Sequence, residues 1–344
     1  MNDRMTRLDN NAREIWVDNV KVIACVLVVL GHFFQSMTQS GIIPANDFYY
    51  WFIQTVYFFH VQLFFICSGY LYQKYSCVNS VYSWRRNIIK KALSLGIPYF
   101  VFSFVTWFLK TVFAESVNNE IGGMFYTLFI SPTSPYWYLY CLFFVFLITP
   151  TISKRKYMWT GLGCAIAFKI INLAAGGVAI YAVSSVAENE IWFVIGMCLA
   201  EFDFVYRVPK TAQLWGLMLS GIFIVLSILI YILKISFFGI GILMGLLGCG
   251  AVILFLAAYY IHNKQNIVMK LISKYTMPLF LMHTIFAAPV RIVLFKFGIS
   301  NPGLHIIIGL IISFAGPIVA AKIMSGFRWL DFFLYPTKYI KLKV

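Results

Sequence analysis

The sequence predicts an all-α, polytopic integral membrane protein of about ten transmembrane helices, with both termini cytoplasmic. Three observations carry this. The chain of 344 residues is 61% hydrophobic and only 11% charged, whereas about a quarter of the residues in a soluble domain are charged. Ten apolar runs alternate with short polar connections, as helices cut to the thickness of a bilayer do. All but six of the 27 Lys and Arg residues fall on the side shared by the two termini, and positively charged loops stay inside. The six are Lys110, Lys234 and Lys296 on the other side, and Lys21, Lys169 and Arg291 within helices.

Residues 1–15 read as a polar, basic cytoplasmic segment. Helix one covers residues 17–37, and a short loop with Pro44, Asn46 and Asp47 leads to helix two at 50–72. The next connection carries Lys74, Arg85, Arg86, Lys90 and Lys91, and helix three then runs to residue 113. A longer loop with Glu115, Glu120, Pro132 and Pro135 precedes helix four, at 136–150, short enough to require tilt or a thinned contact with lipid. Lys154, Arg155 and Lys156 separate it from helix five at 158–175. A Gly-rich loop with Glu188 and Glu190 comes before helix six at 191–206. Helices seven and eight cover 213–233 and 238–261. After His262, Lys264, Lys270 and Lys274 come helix nine at 277–297 and helix ten at 304–324. The tail, 325–344, with Arg328, Trp329, Phe332, Phe333 and Lys338, reads as interfacial or cytoplasmic. The whole chain, 1–344, is expected to be one transmembrane domain, without an appended soluble domain or a cleavable signal peptide.

The net charge of +15 could point to nucleic acid, but the basic residues lie between apolar runs. They act as topology signals and inner-surface contacts instead. The seven cysteines have no metal-ligand spacing, and six of them lie within apolar runs. Buried free thiols follow, rather than a disulfide framework or a metal site.

Chemistry concentrates in helix one. Asp18, Lys21 and His32 interrupt an otherwise apolar span, and ionisable groups inside a bilayer are costly and mark function. Eleven residues at 100° each return Lys21 and His32 to within about 20° of one face, roughly 16 Å apart along the axis. Helix two adds Tyr57-Phe-Phe-His60-Val-Gln62, with Ser68, Gly69 and Tyr70 further on. His60 could orient His32 or the acceptor, or make a packing hydrogen bond; Gly69 permits close helix approach. Arg85, Arg86, Lys90 and Lys91 suit lipid headgroups or the phosphates of a nucleotide-bearing donor. Lys169 and Arg291 could pair with carboxylates or line an aqueous cavity, and His283 reads more readily as structural.

At these residues the sequence resembles the acyltransferase-3 family of polytopic membrane acyltransferases. The run Trp16-Val-Asp18-Asn-Val-Lys21, followed after ten residues by His32, is similar to that family's basic residue, gap and essential histidine. Phe59-His60 through Ser68-Gly69-Tyr70 resembles the second-helix signature, especially that of sugar O-acetylases. Ser134-Pro-Tyr-Trp137 with Pro150 after it, Trp192 to Gly196, and Ser273 to His283 resemble later landmarks in the right order. The chain departs from the family's Arg-x-x-Arg pair before helix three: Arg86 and Lys90 are four apart, and Ile-Pro98 comes later.

The resemblance implies O-acylation of a cell-surface or lipid-linked carbohydrate hydroxyl, with acetyl-coenzyme A as donor, in the plasma or inner membrane. His32 is then the base, supported by Asp18, Lys21 and His60. Lys21, Arg85, Arg86, Lys90 and Lys91 would hold the donor's phosphates, and Trp137, Ser68, Tyr70, Arg291 and His283 would contact substrate. An acyl-histidine intermediate and direct attack are both open. Two other classes fit buried charge in ten helices: a transporter or flippase for a polar lipid or sugar, and a non-catalytic ligand-recognition domain. No internal repeat with paired broken helices supports the transporter.

Overall fold

The computed structural model describes residues 14–44, 46–114, 122–260 and 263–340, and every regular element among them is helical. Residues 1–13 of the expected N-terminal segment, Glu115 and Glu120, His262, and residues 341–344 of the tail lie outside the described residues. The helices are α1 (Ile15–Gln39), α2 (Asp47–Tyr57), α3 (His60–Tyr75), α4 (Val81–Lys91), α5 (Ile97–Val112), α6 (Trp137–Ile148) and α7 (Lys156–Ala174). They continue with α8 (Tyr181–Glu201), α9 (Ala212–Ile232), α10 (Ile240–Tyr260), α11 (Ile267–Lys296), α12 (Pro302–Ser325) and α13 (Arg328–Leu334).

Among the described residues, nine helical stretches are long and apolar enough to cross a membrane: α1, α2 with α3, α4 through α5, and α7 to α12. The expected fourth span is α6, only 12 residues long. At 1.5 Å per residue it reaches about 18 Å, short of a hydrocarbon core of about 30 Å. The turn before it carries Ser134, which is exposed and lines the cavity next to His32.

Four expectations change. Helix two is broken at Phe58 and Phe59 into α2 and α3; no proline or glycine marks the break. Arg85, Arg86, Lys90 and Lys91 lie on a helix, not in a loop, because Ser80 and Ser83 form a capping box that starts α4. A five-residue π-helical turn, Ala92–Gly96, joins it to α5. Glu188 and Glu190 lie within α8 rather than before it; the Glu190 carboxylate accepts the Thr149 hydroxyl at 2.9 Å. Finally, α11 begins at Ile267, so Lys270 and Lys274 are helical.

Helix α1 is the central post, packed against α2, α3, α10, α11 and α12. Val17, Val20, Ala24 and Val28, at helical spacing, are at most 1% exposed. Helices α3 and α8 approach closely. A Cβ at Gly69 would fall on the Phe193 carbonyl, and one at Gly196 on the Ile66 carbonyl, so small residues on both helices set the approach.

The start of α1 is tied down by Glu14. Its carboxylate takes the Lys74 ammonium, the Tyr75 hydroxyl at 2.8 Å and the Tyr206 hydroxyl at 3.0 Å. Burial pushes this carboxyl up, but the bonds from Lys74, Tyr75 and Tyr206 outweigh it and hold it below its ordinary value. A depressed carboxyl stabilises the fold above its unfolded pKa, and that contribution is lost as pH falls through the folded value. Glu14→Gln is therefore expected to cost about 1–3 kcal/mol at neutral pH. Thermal melts in detergent should show its deficit shrinking as the solution is acidified below 4.5; a deficit unchanged at low pH would contradict this account.

Candidate active site

His32 lies seven residues before the end of α1, about 10 Å from it. Both ring nitrogens have neighbours. Tyr57 Oη stands 3.3 Å from Nδ1, and Ser134 Oγ 3.3 Å from Nε2. The Tyr57 hydroxyl donates to Gln35 Oε1 at 2.7 Å, so its oxygen is left to accept from His32 Nδ1–H. That assigns the proton to Nδ1 and the lone pair to Nε2. The Ser134 hydroxyl therefore sits where an acceptor hydroxyl would approach the base.

The other two imidazoles come from the break in helix two and from α11. His60, the first residue of α3, donates from Nδ1 to the Val56 carbonyl at 2.7 Å, across the break. Its ring meets the Tyr57 ring at 4.8 Å between centroids, and Tyr57 in turn stands 6.2 Å from the His32 ring. His283 bonds through Nδ1 to the Leu279 and Phe280 carbonyls at 2.9 and 3.1 Å. Its ring stacks on His32 at 5.4 Å, with 28° between the planes, which holds His32 in place from behind.

His32 opens onto a cavity of ≈290 Å³ at the end of the bundle where α1 finishes. Gln35, Ser36, Lys110, Ser134, Thr284 and Arg291 also line it. Arg291, 5% exposed, donates to Ser36 Oγ at 2.7 Å and to the Ser36 carbonyl at 3.3 Å. The structure thus brings together His32, His283 and Arg291, and His60 through Tyr57. Neither Lys21 nor His60 lines this cavity.

Lys21 belongs to a second group near the opposite end. It acts electrostatically on Cys67, as does Asp18, and on Lys91. The Lys91 ammonium sits 3.8 Å from the Phe146 ring centroid, while Arg85, Arg86 and Lys90 are exposed. Trp84 anchors their helix by donating from Nε1 to the Leu147 carbonyl at 2.9 Å. Arg86 and Lys90, four apart, share one face of α4.

Ser68, Tyr70 and Trp137 are not among the residues lining the His32 cavity. Ser68 Oγ is 3.3 Å from Tyr138 Oη. Tyr70 packs edge-on against Trp16 and accepts from Lys74 at 3.2 Å. Trp137 is partly buried against the core. Sequence reasoning named no role for Tyr57, Gln35, Ser134 or Lys110. Tyr57 and Ser134 do fall inside the two motifs quoted above, and that was the available signal. Among the described residues, no group of three His, Cys, Asp or Glu side chains could hold a metal ion.

The chain is 24% identical over 170 residues to nodulation protein NolL of Mesorhizobium japonicum, a match covering 48% of this chain and 43% of that protein. The chain thus aligns with less than half of that relative's length. No solved structure matches. The profile described as "Acyltransferase domain" covers residues 14–322, the whole bundle from the first turn of α1 to the last turn of α12. The chain therefore belongs to the acyltransferase-3 family of membrane acyltransferases.

Proposed function

We propose that this acyltransferase moves an acetyl group from cytoplasmic acetyl-coenzyme A to a hydroxyl of a cell-surface or lipid-linked carbohydrate, with His32 as general base. The observation that carries the reading is the polarised His32 ring, with Nδ1–H engaged by Tyr57, which itself donates to Gln35, and Nε2 facing the cavity. An imidazole titrates near neutrality and is suited to this work. The acceptor hydroxyl, in the position of Ser134 Oγ, gives its proton to Nε2 as its oxygen attacks the thioester carbonyl. The tetrahedral oxyanion is then stabilised by donors at the cavity, with Arg291 the strongest. As the intermediate collapses, the C–S bond breaks, and the imidazolium returns the proton to the departing thiolate. His60 and His283 position the base from either side.

The donor's phosphates are assigned to the group formed by Lys21, Arg85, Arg86, Lys90 and Lys91, where cations collect at the end of the bundle opposite the cavity. The distance of roughly 16 Å along α1 from Lys21 to His32 suits the pantetheine arm. Positively charged ends of membrane proteins stay inside, so this basic end faces the cytoplasm and the His32 cavity opens outward. In a steady-state assay with purified protein, Arg86→Glu with Lys90→Glu is expected to raise the KM for acetyl-coenzyme A at least tenfold, with a smaller change in kcat. An unchanged donor KM would remove these residues from the donor site. Absence of acetyl-coenzyme A consumption by well-folded protein, with any glycan acceptor, would favour the transporter or recognition readings.

A further inference from the structure

Behind Tyr57, on the side away from the His32 cavity, lies a second chamber of ≈380 Å³. Its polar lining comes from Gln62 on α3, Lys169 on α7, and Glu188 and Asn189 on α8, with Trp192 beside them. None of these residues enters the mechanism above. Lys169 is 9% exposed and donates to the Glu188 carbonyl at 2.7 Å. Asn189, 7% exposed, donates to the Ser185 carbonyl at 2.8 Å, which leaves its carboxamide oxygen available. Gln62 Oε1 is buried without a hydrogen-bond partner. A buried polar atom left unmatched costs about 1–3 kcal/mol, so the chamber is built for something that donates to it.

The lining identifies what that is. One ammonium and one carboxylate balance in charge, so the chamber does not select an ion. Two carboxamides, fixed on rigid helices, offer donors and acceptors together, which matches hydroxyl groups. Phe237 and Phe238, both exposed in the lining, offer aromatic faces on which the apolar C–H face of a sugar ring packs. The volume lies within the range of small-molecule sites, about 300–1,000 Å³.

The chamber is also reached from the correct end. Phe237 and Phe238, in the connection before α10, line its mouth. Through Phe58 and Ile240 it adjoins a wider groove of ≈950 Å³ bearing Asp47, Trp51, Gln54 and Tyr231. Together they form an extended tract, lined with aromatic and polar groups, that ends at Tyr57, the residue bonded to His32.

We propose that this chamber is a saccharide subsite, holding a neutral sugar ring of the acceptor next to the one acylated at His32. The assignment rests on the carbohydrate-acceptor reading above. It is tested by saturation-transfer difference NMR with protein in phosphatidylethanolamine–phosphatidylglycerol nanodiscs. The probes are methyl glycosides and disaccharides of glucose, galactose and N-acetylglucosamine, with methyl glucuronide as the charged comparator. At least one neutral disaccharide is expected to bind more tightly than its methyl glycoside and than the glucuronide. Gln62→Leu and Asn189→Leu should each weaken that disaccharide about tenfold, with Gln62→Met as the substitute if the leucine variant folds poorly. Failure of every neutral saccharide to bind wild-type protein, or binding unchanged in both variants, overturns the proposal; the former is the result expected if a lipid headgroup fills the chamber. Acetyl-coenzyme A turnover, measured on the same wild-type preparation, reads the catalytic proposal separately. Variant-sensitive saccharide binding without turnover would remove acetyl transfer and leave the subsite standing.

Discussion

His32→Ala is expected to lower acyl transfer by 10²–10⁴-fold, the range typical for losing one general base, while the protein still inserts and folds. The ring lies at a cavity wall rather than in the packed core, so truncation mainly enlarges that cavity. Its two polar neighbours keep other partners or face open space: Tyr57 still donates to Gln35, and Ser134 lines the cavity. The catalytic loss is therefore separable from instability. Purified variant should elute as a single species and melt within a few degrees of wild type, yet consume acetyl-coenzyme A at the residual rate. Tyr57→Phe, which removes the oxygen facing Nδ1, should produce a smaller loss through the tautomer of His32 rather than through the base itself. A His32→Ala variant with wild-type turnover would remove this residue from the chemistry.

The second large effect concerns assembly. Gly196→Ala and Gly69→Ala are each expected to destabilise the protein at or beyond the usual 1–3 kcal/mol of an overpacked site. The new methyl group meets a backbone carbonyl on the facing helix in both cases, that of Ile66 or that of Phe193. A side chain could rotate away, but a carbonyl moves only with its helix. Because α3 carries His60 and packs on α1, forcing α3 from α8 disturbs the site as well as the fold. Lower detergent-extracted yield and a lower Tm should accompany each substitution. The same test at Gly250, where a Cβ would meet nothing within 4 Å, should leave both nearly unchanged. An unaffected Tm in Gly69→Ala and Gly196→Ala would show that the helices are not held at this distance.

Much of this was legible in the sequence because a bilayer allows few solutions. Backbone polar groups must be satisfied inside each span, so apolar runs of the right length become helices. His32 could be singled out for the same reason: an imidazole inside such a run is costly and needs a purpose. The helix-one periodicity correctly set Lys21 and His32 on one helix with a fixed separation, but not in one cavity. A shared face continues past several neighbours: α3 meets it at the Lys21 end, and α11 and the Ser134 turn meet it near His32.

Other parts were hidden for identifiable reasons. Tyr57 reaches His32 because the helix breaks at Phe58 and Phe59, an aromatic run carrying no breaker residue. Ser134 arrives through the turn before α6, a tertiary consequence that no local pattern states. Arg86 and Lys90 looked like a loop because α4 is amphipathic, and polarity averaged over a window conceals a helix with one apolar stripe. Glu188 and Glu190 were read as preceding a span, yet helix α8 runs through both.

Sidedness is where these proposals meet. The thioester is assigned to the basic end, and the hydroxyl to the end where the His32 cavity opens. The acyl group then crosses most of the membrane on its carrier and changes hands near His32. The most direct measurement uses sealed vesicles of known orientation, with acetyl-coenzyme A supplied to one face and a glycan acceptor to the other. Donor should be consumed only when presented at the face bearing Arg86 and Lys90, with acetylated product appearing on the opposite side. Full activity with donor supplied solely at the His32 face would contradict the account, even if His32 proved to be the base.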